Sequence, residues 1–343
     1  MNAQLKPLDQ QTIVITGASS GIGLVTARMA AKQGANVVLA ARNEDALRQL
    51  DQEINNAGGG RAAYVVADVG NEADHCRIRD VAIEKFGGVD TWVNNAGASV
   101  YGRIEQVPTD DAKRLFETNF WGVFHGSRTA LEHFKQRARP GAIINVGSTV
   151  SDRSIPLQGI YSASKFAVRS FTDALRMEIE EAGYPISVTL IKPAAIDTPY
   201  VEHAKNYMDE DPSFPPPVYA PETVARGILH AAVHPERDIF IGGAGKMFSV
   251  MEKYAPRMTD RYMEATMFKQ QKAGTRGRRS GVGLHRPGIG LQERGGYEGH
   301  VMESSLYTTA TTHPLMTGLI LGAAGAAVAA LVASPSVREH MRS

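Results

Sequence analysis

Three residues could together pass a proton to or from a carbonyl oxygen: Ser148, Tyr161 and Lys165. Between Gly159 and Glu181 the apolar residues Ile160, Phe166, Ala167, Phe171, Leu175 and Ile179 recur every three to four positions, which predicts a helix with Tyr161 and Lys165 on one face. A free phenol titrates at about 10, and a fixed ammonium beside it favours phenolate, bringing the group within reach of acid/base work near neutrality. Ser148 follows the apolar run Ala142–Val146, a predicted buried strand, so its hydroxyl sits at a strand's carboxyl end. Open α/β sheets place ligands there. Tyr-x-x-x-Lys alone is also what an ordinary helix surface carries, and the serine at the strand end is what sets this pair apart.

The elements that must position these groups alternate strand with helix. Thr12–Ile15 reads as a strand, runs into Thr16-Gly17-Ala18-Ser19-Ser20-Gly21-Ile22-Gly23, and a helix follows to about Gln33. Glycines let such a turn tighten and approach a pyrophosphate, whose charge then meets the amide-rich helix N-terminus. Asn36–Ala40, Ala63–Ala67, Thr91–Val93 and Ser187–Ile191 read as further strands, and Thr109 to about Gln136 as a long helix. A proline-rich stretch from Tyr200 to Tyr219 is too long for a routine connection and reads as a substrate lid. Tyr101, Ile155, Leu157, Tyr200 and Tyr207 suggest an apolar pocket.

The turn T-G-x-x-x-G-x-G, the motif Asn94-Asn95-Ala96-Gly97 and the Ser148/Tyr161/Lys165 set together resemble the short-chain dehydrogenase/reductase family over about residues 8–250. The resemblance implies an α/β fold, a Rossmann-like doubly wound parallel sheet of about seven strands. It implies an NADP(H)-dependent oxidoreductase that interconverts a carbonyl and a secondary alcohol, as a homo-oligomer. Asn119 would complete a catalytic tetrad by ordering a water near Lys165, which would also bind the nicotinamide ribose together with Tyr161. Around the cofactor, the resemblance places Gly17, Ser19, Gly21, Ile22 and Gly23 at the phosphates, Asp68 and Val69 at the adenine, Asn95 on the adenosine side and Thr198 at the carboxamide. At the end of the second strand Ala41 offers no carboxylate for a ribose, while Arg42 matches the arginine that accommodates the extra phosphate of NADP(H). Pro193-Ala194 departs from the family's Pro-Gly, and alanine is comfortable only at negative φ. Two alternatives stay open: an epimerase or dehydratase on the same fold, whose relatives usually carry T-G-x-x-G-x-x-G, and a non-catalytic NADP(H)-sensing adaptor at a membrane.

Composition bounds the remaining possibilities. The 37 basic and 36 acidic side chains among 343 residues leave no global reason to expect nucleic acid. One cysteine, Cys76, permits neither an intrachain disulfide nor a cysteine metal site, and a reducing cytoplasm fits. We therefore expect a catalytic domain at 1–250, an appended helix at 251–270, a flexible basic linker at 271–314, a helix at 315–333 and a tail at 334–343. Leu315–Ala333 carries no charge for nineteen residues, close to the roughly 20 that span a bilayer. It reads either as a membrane anchor with the enzyme on the cytoplasmic side or as a helix packed on protein.

Overall fold

The computed structural model describes residues 3–276, 282–312 and 317. In chain order the elements that frame the site are β1 (Thr12–Thr16), α1 (Gly21–Lys32), β2 (Asn36–Ala41), α2 (Glu44–Ala57), β3 (Ala62–Val66), α3 (Glu72–Phe86) and β4 (Thr91–Asn94). They continue with α4 (Thr109–Phe116), α5 (Gly122–Arg137), β5 (Gly141–Val146), α6 (Gly159–Glu181) and β6 (Ile186–Pro193). The last are α7 (Pro221–Val233), β7 (Asp238–Ile241), α8 (Gly243–Tyr254) and α9 (Pro256–Gln270). Seven strands form one parallel sheet in the order β7-β6-β5-β4-β1-β2-β3. Runs such as Ile13-Val14-Ile15 and Ile143-Ile144 are buried on both faces, as a parallel sheet covered by helices requires. β1 pairs with β2 on one side and β4 on the other, so the winding reverses there and a crevice opens at the strands' carboxyl ends.

Two expectations are revised. The helix from Thr109 is interrupted by a π-helical stretch, Glu117–Trp121, that turns Asn119 into the interior. The segment after β7 is two helices rather than one, because Pro256 lacks an amide hydrogen and starts a new helix at its first position. Within 271–314, Lys272–Arg276 pairs with Glu210–Pro212, Val301–Met302 with Val218–Tyr219, and Leu306–Thr312 is helical. Glycines of this stretch serve close approach, since a Cβ on Gly295 would lie 2.5 Å from the Thr198 carbonyl oxygen and one on Gly290 2.3 Å from the Ala46 Cβ. Leu315–Ala333 lies, apart from Thr317, outside the described residues. Among the described residues no helix is long and apolar enough to cross a membrane.

A buried chain of polar side chains ties the strands that carry the site to the helix behind them. Asn94 Nδ2, at the end of β4, donates to Asn145 Oδ1 on β5 at 2.8 Å, and Asn145 Nδ2 donates to Thr172 Oγ1 on α6 at 3.0 Å. Trp92 Nε1 and Ser127 Oγ complete the chain at 2.9 and 3.3 Å. Every member is buried, so removing one leaves its partners unpaired. Asn145→Ala should lower stability by roughly 1–3 kcal/mol. Urea unfolding checks this: the midpoint should fall at constant slope, and an unmoved midpoint would contradict it.

Candidate active site

The glycine turn is built by steric necessity. Gly17 and Gly21 take φ of +69° and +52°, and a Cβ on Gly23 would lie 2.2 Å from the Gly17 carbonyl oxygen. That contact lets the first turn of α1 sit directly over the end of β1, with the Ile22 and Gly23 amides among those that lack an intrahelical acceptor. Asn95 holds the turn from the side, its Nδ2 donating to Thr16 O at 2.9 Å while its own amide donates to Thr16 Oγ1 at 3.0 Å. Gly17, Ser19, Gly21, Ile22, Arg42, Asp68, Val69, Asn95 and Thr198 all line one cleft of about 330 Å³ with Ser148, Tyr161 and Lys165.

Ser148 leaves β5 in an extended conformation and caps a short turn, its Oγ accepting from the Val150 amide at 3.3 Å and lying 3.4 Å from Pro193 O. Helix α6 presents Tyr161 and Lys165 to the same place. Lys165 is 4% exposed, its Nζ donates to Val146 O at 2.8 Å, and it makes no ion pair among the described residues. Burial without a countercharge pulls its pKa down to about 8. The ammonium stands 5.8 Å from the Tyr161 ring centroid. The expected lowering of the Tyr161 pKa is not what this geometry produces: burial pushes the phenol above its ordinary value, outweighing hydrogen bonds with Tyr200 and Ser148 that favour phenolate. Tyr161 is thus a neutral donor at pH 7.

Asn119 is fully buried, and its amide is spent on protein groups. It accepts from the Ala98 amide at 2.8 Å and donates to Ala98 O and Ser164 Oγ, each at 3.0 Å. It therefore fixes the loop after β4 against the first turns of α6. Asp68 is engaged by the Gly70 amide and the Arg114 guanidinium, which together overcome burial and hold its carboxyl below the usual range. Arg42 makes no ion pair with a carboxylate among the described residues; its Nη2 and Nη1 donate to the carbonyls of Gly283 and Leu284 at 2.5 and 3.1 Å, and burial lowers its pKa. Ala194 needs no left-handed backbone and lines the cleft, so its replacement of glycine leaves the loop after β6 undisturbed.

The same cleft is also lined by Tyr101, Ile155, Tyr200 and residues 214–217, and by Phe248, Met263 and Met267. Leu157 and Tyr207 do not line it; Leu157 packs with Tyr101 and Met208, and the Tyr207 hydroxyl is bound to Asp111. Tyr200 packs edge-on to Tyr161 with centroids 5.5 Å apart, and its hydroxyl donates to Gln158 Oε1 at 2.9 Å, itself tied to Gln271 at 2.7 Å. Gln271, Arg114 and the 283–288 stretch escape sequence reasoning, because only long-range folding brings them to Gln158, to Asp68 and to the cleft wall. Among the described residues, the charged side chains on the cleft wall are Arg42, Asp68 and Lys165, with His203 a further titratable base.

A sequence profile described as short chain dehydrogenase matches residues 11–208. The chain is 48% identical over 320 residues to the uncharacterized oxidoreductase YxnA of Bacillus subtilis, covering 93% of this chain and 90% of that protein. It is 38% identical over 205 residues to 3beta-hydroxysteroid dehydrogenase 1 of Eggerthella lenta, covering 60% of this chain and 77% of that one. Among solved structures, an alcohol dehydrogenase from the archaeon Thermococcus sibiricus, complexed with 5-hydroxy-NADP, superposes with a TM-score of 0.59 at 26% identity, over 67% of this chain and 95% of that one. The same parallel sheet, a profile match over more than half the chain and a relative alike over nearly its whole length agree: this chain belongs to the short chain dehydrogenase family.

Proposed function

We propose that the protein is an NADP(H)-dependent oxidoreductase that interconverts an uncharged, apolar carbonyl compound and its secondary alcohol. The observation that carries this reading is the convergence, in one cleft, of the Ser148 hydroxyl, the neutral Tyr161 phenol and the buried Lys165 ammonium with a glycine turn that no side chain could occupy. A dinucleotide fits the residues present: the turn admits close backbone approach, and Arg42 is a half-buried cation that feels the Asp68 charge but makes no direct ion pair with a carboxylate among the described residues. The 5-hydroxy-NADP in the archaeal alcohol dehydrogenase supports the choice of cofactor.

When bound, the reduced nicotinamide supplies the hydride. The chain's own residues do the rest. Ser148 donates a hydrogen bond to the substrate oxygen and stabilises negative charge as it develops. Tyr161 then gives that oxygen its proton, a role suited to a phenol held neutral by burial. Lys165 keeps its charge at or below about pH 8, stabilises the phenolate left behind and is the donor available to the ribose hydroxyls. Asn119 acts indirectly by holding the Ala98 backbone and Ser164 in place. In oxidation the same steps run backwards, with phenolate as base. The substrate reading rests on the walls: Ile155, Phe214, Phe248, Met263 and Met267 line the cleft together with Tyr161, and Arg42, Asp68 and Lys165 are the charged groups that line it among the described residues. The steroid named for the Eggerthella relative is a compound of this kind.

Three outcomes follow from these roles. Tyr161→Phe should cut turnover about a hundredfold or more while leaving dinucleotide affinity near wild type, and retention of more than about a tenth of the rate would remove Tyr161 from the chemistry. Arg42→Ala should weaken NADPH about tenfold or more and leave NADH almost unchanged, since a charged contact to phosphate is worth roughly 1.5–3 kcal/mol. Because the raised phenol pKa keeps Tyr161 protonated through neutrality while Lys165 loses its charge near pH 8, alcohol oxidation should climb as pH rises from about 7 and stop climbing above about 8, whereas carbonyl reduction should not climb. Steady-state profiles in both directions check this, and an oxidation rate indifferent to pH would contradict it.

A further inference from the structure

The residues that follow the family-matched part of the chain do not stay away from the dinucleotide groove. Residues 283–296 run along its open side and are fastened to both banks. On one bank Arg42 is held by the carbonyls of Gly283 and Leu284, and Asn43 Nδ2 donates to Gly288 O at 3.0 Å. Over the glycine turn the Leu291 amide donates to Ser19 O and the Gly21 amide to Gln292 O, both at 2.8 Å. On the other bank the Gly295 amide donates to Asp197 Oδ1 at 3.1 Å and the Gly296 amide to Glu202 Oε1 at 2.9 Å. Two side chains clip the strap from outside: Glu293 pairs with Arg28 at 2.7 Å, and Arg294 with Glu303 and Glu222 at 2.7 and 3.2 Å. Gly283, Pro287 and Gly288 line the same cleft as Gly17 and Ser148, so the strap walls the groove and leaves its interior open.

We propose that residues 283–296 are a clasp belonging to the dinucleotide site, which orients Arg42 and closes the groove over bound nucleotide, so that the nucleotide leaves only when the clasp lifts. The proposal rests on the dinucleotide reading above. Two of the Arg42 nitrogens are taken by carbonyls, which fixes the plane of the guanidinium without cancelling its charge, and the rest of its donors remain for an anion. The fit depends on glycine where the clasp touches the banks, because a Cβ on Gly290 would meet the Ala46 Cβ at 2.3 Å. A larger residue there must push the clasp outward.

Release of NADPH and of NADH, followed by stopped-flow displacement in the full chain, tests this with two variants: the wedge Gly290→Val and the unclipped Glu293→Ala/Arg294→Ala. The clasp predicts release about tenfold or more faster in the wedge and a smaller acceleration in the unclipped variant, for whichever dinucleotide the wild type binds. Unchanged release in both variants, with native circular dichroism, overturns it. Tighter binding in either variant also overturns it, because that marks a segment competing with the nucleotide rather than covering it. Should the wedge fail to fold, the unclipped variant decides alone, acceleration supporting the clasp and an unchanged rate overturning it. A wild type that binds NADH tightly and NADPH poorly would instead defeat the cofactor reading, and the acceleration of NADH release would still support or overturn the clasp.

Discussion

The buried ammonium of Lys165 constrains everything around it. A cation 4% exposed with one carbonyl for a partner is costly, and burial favours its neutral form, pulling its pKa down. A carboxylate beside it would relieve the penalty but would cancel the charge that the proposed proton transfer uses. The fold instead surrounds it with groups that need it: Val146 O at the end of β5, the Tyr161 phenol one turn earlier on α6, and an open cleft in which hydroxyl acceptors can bind. Stability is drawn from elsewhere, through the apolar strands and the Asn94–Asn145–Thr172 chain that fixes β4, β5 and α6 in register.

That division explains which features of the chain are readable without a structure. The parallel sheet is legible because its strands are apolar on both faces and are punctuated by glycine turns, and the Tyr161/Lys165 pair because four residues make nearly one helical turn. The environment of the pair is not legible. Spacing shows that an ammonium can approach a phenol, whereas the direction of the phenol's pKa depends on how completely the folded chain, with Tyr200 packed edge-on to the ring, buries it. Asn119 reads as a helix residue in sequence, and only the π-helical stretch at 117–121 turns its amide onto Ala98 and Ser164.

In the C-terminal segment composition leaves two uses of the same residues undistinguished. Dense glycine and arginine resemble a solvated linker, since the same residues that loosen a chain also permit two backbones to touch. In the fold Gly290 and Gly295 are contact points, and Arg294 answers Glu222 and Glu303. The two uses differ only in what lies opposite, and nothing local records that.

The account stands or falls on hydride transfer assisted by Tyr161. Its most direct test supplies NADPH carrying deuterium at the reactive nicotinamide carbon together with apolar ketones of graded size, and analyses the products by mass spectrometry. The account predicts an alcohol bearing one deuterium on the former carbonyl carbon, formed in step with NADP+. Tight nucleotide binding with no deuterated alcohol from any ketone or aldehyde, and no cofactor oxidation, would contradict it.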